Sequence, residues 1–136
     1  MKNDISPNKE TVVFGNDSAV IRKYIAGIAG GRTLDCSDFA DDNVLAGHVI
    51  IKKADGKYAP MPVIAAVAAQ PAKYGTLPAG ASYAGVLYRS ISKKNPAASI
   101  MTIGIVNPDM TPYPMTDILT AFMAACKITF EKDEEA

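Results

Sequence analysis

The chain has 136 residues, 49% of them hydrophobic and 21% charged, and 14 lysines and arginines balance 14 aspartates and glutamates. This is one domain's worth of sequence, able to bury roughly 68% of its unfolded surface and too apolar to stay disordered. The zero formal net charge provides no field to attract nucleic acid or an anionic membrane, so neither is an expected partner, and it leaves copies of the chain little reason to repel one another.

The first ten residues, MKNDISPNKE, are polar and lack the apolar stretch of a secretory signal. The expectation is synthesis in the cytoplasm with Cys36 and Cys126 reduced; they match no metal-ligand spacing. Residues 1–14 read as a flexible arm, 15–131 as a single β-rich domain and 132–136 as a solvated acidic tail. Within the arm, Thr11, Val12, Val13 and Phe14 form a short strand candidate stopped by Gly15-Asn16. "AVIRKYIAG" at 19–27 suits strand or helix, and periodicity does not separate the two. "GIAGG" at 27–31 lacks the spacing of a phosphate-binding loop and reads as a turn. Leu34 and Cys36 alternate with Thr33, Asp35 and Ser37, as in a half-buried strand, and "ADDN" at 40–43 is a turn. Val49-Ile50-Ile51 then runs to Asp55-Gly56 and resumes at Lys57-Tyr58, a hairpin with a two-residue primed turn.

The longest apolar run, Val63 to Ala69, is far too short for a membrane span. "QPAKYGTLPAGAS" at 70–82 reads as a long loop, functional or mobile. Two apolar strands follow at 82–91 and 98–106, joined by the charged turn "SKKNPA". The best helix spans about 12 residues, 116–127, with an apolar stripe of Ile118, Leu119, Phe122, Met123 and Cys126. Thr116 is its expected N-cap, with Asp117 in the first turn and Lys127 in the last. A strand "ITF" closes the domain. The expected fold is mainly β with one C-terminal helix, α+β by count.

Reactive chemistry is hard to assemble from these residues. His48 is the sole histidine, no motif sets a nucleophile beside it, and it reads as a strand residue facing solvent or making one structural hydrogen bond. Zinc needs three or four ligands, and the chain disperses its soft ones. Asp41-Asp42 suits a turn and Lys93-Lys94 a solvated loop. No catalytic residue, cofactor or metal is therefore expected. In "YAGVLY" and "IMTIGIV" both alternating faces are largely apolar, and a domain this small has limited material to cover both. The pattern favours an oligomer or a docking surface over a simple core.

The ordered segments "LAGHVIIKKADGKYAPM", "ASYAGVLYRSI", "SIMTIGIVNPDM" and "ILTAFMAACKITFEK" resemble the head decoration protein family of tailed bacteriophages, the lambda type. The correspondence falls on Ala46 to Val49, Gly56 to Tyr58, Ala84 to Leu87, Ile100 to Val106 and Leu119 to Phe130, within residues 44–131. The segment before Leu45 is longer than that family's short arm, and 70–82 is an expanded loop. The resemblance implies a β-clip-like fold and a non-enzymatic virion protein of a phage or prophage. Such a protein forms a homotrimer on the outer surface of the expanded head, cementing the major capsid protein. It implies that Thr11 to Phe14 adds a strand to the shell, the alternative being pairing within its own domain. Tyr83, Tyr88 and Tyr113 are candidate trimer or capsid contacts, since aromatics enrich at interfaces. A ligand- or host-receptor-binding module displayed on the particle is the second reading, resting on the 70–82 loop. A nucleotide-hydrolysing trimeric enzyme is the third, and the chain lacks its acidic and glycine-rich motifs.

Overall fold

The computed structural model describes residues 17–132; Thr11 to Phe14, with the rest of the arm, and the tail beyond Lys132 lie outside them. The described chain is mostly β, with one short helix near its C-terminal end. A one-turn helix α1 (Asp17–Val20) leads into β1 (Ile21–Gly27), β2 (Arg32–Thr33), β3 (Asn43–Val44), β4 (Val49–Lys52) and β5 (Tyr58–Pro60). After these come β6 (Val63–Ile64), β7 (Lys73–Tyr74), β8 (Ser82–Leu87), β9 (Ile91–Ser92), β10 (Ala97–Ala98) and β11 (Ile100–Val106). Helix α2 (Leu119–Ala125) and β12 (Lys127–Phe130) end the fold.

One six-stranded sheet organises the domain, in the order β1-β11-β8-β4-β5, with β12 parallel to β11 and all other pairs antiparallel. Three two-stranded ribbons, β2/β10, β3/β9 and β6/β7, attach to it. The ambiguous segment 19–27 resolves mainly as strand: β1 pairs along the length of β11, from Ile21 opposite Val106 to Gly27 opposite Met101. "GIAGG" is indeed a turn, closed by the Gly31 amide donating to the Ile28 carbonyl at 3.1 Å. The alternation around Leu34 also holds, with Leu34 and Cys36 buried, although only Arg32–Thr33 of that stretch is ladder-paired.

Successive strand residues point to opposite faces, and here each face meets its own core. Val49, Ile51, Val86 and Met101 join Phe122 and Ile128 on one side. Ile50, Leu87 and Ile100 join Leu34, Phe39 and Val44 on the other. The pattern expected to favour an oligomer or docking surface over a simple core instead makes two internal cores: α2 and β12 help to cover one face, and the 34–44 segment covers the other. The central strands give no argument for an oligomer. Gly85 allows β8 to lie against β11, because a Cβ there would collide with the Met101 carbonyl.

Two local expectations are corrected. The β4–β5 connection is not a two-residue primed turn. Lys53 and Lys57 close a three-residue loop, the Gly56 amide donates to the Lys53 carbonyl at 2.9 Å, and only Gly56 has positive φ (89°). That is a type I turn followed by a glycine bulge, which spares Asp55 a left-handed conformation. The C-terminal helix has seven residues rather than about 12, its N-cap is Ile118 without a side-chain cap, and Lys127 opens β12 instead of ending the helix. The chain turns extended at Cys126 so that β12 can pair with β11, and sheet pairing overrides helical propensity there.

Candidate functional site

The structure gives each candidate tyrosine a separate packing role. Tyr83 lies edge-on to Phe122, ring centres 5.5 Å apart, and Tyr88 packs on Tyr24 at 4.7 Å. Tyr113 sits against His48 at 5.6 Å and Tyr74 at 5.4 Å. All three are half-buried against the first core and keep part of each ring at the surface.

His48 is buried, not solvent-facing, and takes the structural role. Its Nε2 lies 3.0 Å from the Met61 carbonyl oxygen; because a carbonyl only accepts, the proton is on Nε2. Nδ1 is left buried without a partner, and the rings of Phe39, Tyr74 and Tyr113 surround the imidazole edge-on. Burial disfavours the imidazolium and lowers the pKa to about 4, against smaller opposing effects of the Met61 hydrogen bond and Asp41.

The 70–82 segment is not a free loop. Residues 63–75 form a hairpin in which Val63 pairs Tyr74, Ile64 pairs Lys73 and Val67 bridges Gln70. Tyr74 anchors it: the ring is buried and the hydroxyl accepts the Val49 amide proton at 3.1 Å, tying the hairpin to the central sheet. Burial pushes that phenol well above its ordinary pKa. Beyond the anchor, every residue from Ile64 to Pro71 is exposed, Ile64 by 50% and Val67 by 65%, and none carries a charge. From sequence alone this apolar run reads only as too short for a membrane span. Nothing local marks the turn, which falls on Ala68-Ala69 without a turn-forming residue. Among the described residues no helix is long and apolar enough to cross a membrane. The outer side of α2 is similar in character, with Ala121, Met123, Ala124 and Ala125 exposed and Phe122 alone buried within the helix.

Under the hairpin lies a cavity of about 380 Å³ between the 35–41 segment, β5, residues 62–66 and 72–78, and Tyr113. Lys53 donates to Asp35 at 2.6 Å across its wall. That ammonium, helped by the Ser37 hydroxyl and amide, holds the Asp35 carboxyl well below the usual carboxylate range. The Tyr113 hydroxyl donates to Asp41 at 3.2 Å. Both cysteines are free, and burial raises the pKa of each thiol. Among the described residues no three His, Cys, Asp or Glu side chains stand close enough together to hold a metal ion.

Compared with known proteins, the chain matches no protein-family model, no curated protein and no solved structure.

Proposed function

We propose that this protein is a phage virion structural protein. In this reading it is a capsid decoration protein that binds the outer surface of the expanded head as a homotrimer, contacts the major capsid protein and stabilises the shell without chemistry. The structural observation that carries the reading is the hairpin tip Ile64–Pro71, eight consecutive uncharged residues held out into solvent by a buried tyrosine anchor. Its alanines cost little to expose, and Ile64 and Val67 supply the larger apolar area that a docking partner would remove from water. The ordered sequence resemblance names the partner. Trimerisation makes each weak contact multivalent, and a ligand that binds only the expanded state stabilises that state by mass action.

The test is the copy number of the protein in purified particles from a lysate or induced prophage, by quantitative mass spectrometry against the major capsid protein. The expected ratio is near one to one. A few copies per particle would favour the displayed receptor-binding module, and absence from particles would sink both virion readings.

A further inference from the structure

We infer that the cavity beneath the hairpin receives an arginine side chain presented by an extended segment of the shell partner. Naming that partner rests on the decoration reading above, whereas the cavity's preference for arginine rests on its own lining. Its volume of about 380 Å³ lies within the range of enclosed binding sites. The floor and hairpin side are apolar, contributed by Ile51, Pro60 and Val63 among others, a surface suited to the methylene stem of a long side chain.

Charge selects the head group. The segment 35–41 brings three carboxylates to the wall, but Asp35 is already bonded to Lys53 at 2.6 Å. Asp38 and Asp41 are exposed at the mouth and, among the described residues, neither has a cationic partner within ion-pair distance. Asp41 receives only the Tyr113 hydroxyl, at 3.2 Å, which leaves it acceptor capacity. Phe39 and Tyr113 also line the cavity, and both rings are fixed by edge contacts to His48. Carboxylates beside fixed aromatic rings suit a guanidinium, which stacks and forks at once, better than a compact ammonium.

The test titrates ¹⁵N-labelled full-length protein with acetyl-Ala-Arg-Ala-amide at low salt, beside the same peptide carrying citrulline. Citrulline keeps the planar head and removes its charge. The expected result is saturable shifts of the Asp38, Asp41 and Tyr113 amides with the arginine peptide, and binding of the citrulline peptide weaker by up to about fivefold, the size expected when a partly exposed ion pair is lost. Equal binding of the two peptides, or no saturable shift at these amides, overturns the inference. The peptide comparison uses the unaltered protein, so it stands whether or not any variant folds. Co-sedimentation of a D38N/D41N protein with expanded heads then tests the biological contact. Loss of sedimentation by that variant with its spectrum otherwise native supports the inference, and retained sedimentation overturns the cavity as the shell contact while leaving the decoration role intact. If the unaltered protein does not bind heads at all, the decoration reading fails, and with it the shell as the source of the arginine.

Discussion

Two apolar runs of equal length meet opposite fates in this molecule. Ile100–Val106 becomes β11, paired with β1 along one edge and with β8 and β12 along the other, and its side chains feed both cores. Val63 to Ala69 pairs only with the strand that follows it and leaves Ile64 and Val67 in solvent. The difference lies in neighbours and in side-chain size. Ile and Met give a central strand much area to bury, whereas the alanines of the hairpin give little and cost little to expose. An apolar run therefore reports a capacity for contact, and topology decides whether that contact is internal or external.

Substitutions can break this comparison, beginning where the effect is largest. Phe122→Ala should remove about 3–5 kcal/mol of stability, because that fully buried ring joins α2 to the first core. Ile50→Ala and Ile51→Ala should each cost about 2–5 kcal/mol, although the two neighbours face opposite sides of one strand. Urea denaturation of each would show it, and a cost below 1 kcal/mol for either would mean that one face of the sheet is not a core.

Acid should act through His48. Its pKa of about 4 in the folded state lies below the value of 6.5 expected when it is unfolded, so the unfolded chain binds the proton more readily. This contribution is complete above pH 6.5, declines as pH falls from there towards 4, and reaches a loss of about 3 kcal/mol below both values. His48→Phe should flatten stability across that window, and an unchanged slope would assign the acid sensitivity to other groups. The smallest effect on folding belongs to the hairpin. Val67→Ser should change stability by no more than about 0.5 kcal/mol, as an exposed site does, and the proposed decoration role expects it to reduce occupancy on expanded heads. A large loss of stability there would make the hairpin part of the fold's support and count against the proposed docking role.

Much of the fold is written locally. The β-branched run Val49-Ile50-Ile51, the Leu34/Cys36 alternation and the apolar strand near 98–106 appear where their residue types and spacing point, whereas the expected strand at 82–91 ends at Leu87 and Ile91–Ser92 pairs with β3 in a separate ribbon. The turn type was less legible, because Asp-Gly serves both a primed turn and a glycine bulge, and the register of Lys53 against Lys57 makes the choice. The helix is shorter than its apolar stripe, since β12 claims Lys127 to Phe130. The candidate site was the least legible part. Tyr74 gives no sign in sequence of reaching the Val49 amide, and Asp41 meets the Tyr113 hydroxyl only because residues distant in sequence are folded together.

The sequence by itself determined a mostly β domain, the place of the β4–β5 connection and a single histidine, because those follow from local backbone preference and residue content. The tertiary structure alone decided that both sheet faces are covered from within, that His48 is sealed among three rings, and that the 64–71 run stands in solvent above a cavity. The physical reason is that burial is a property of what lies on the other side of a side chain, and in this fold that neighbour comes from a distant part of the chain.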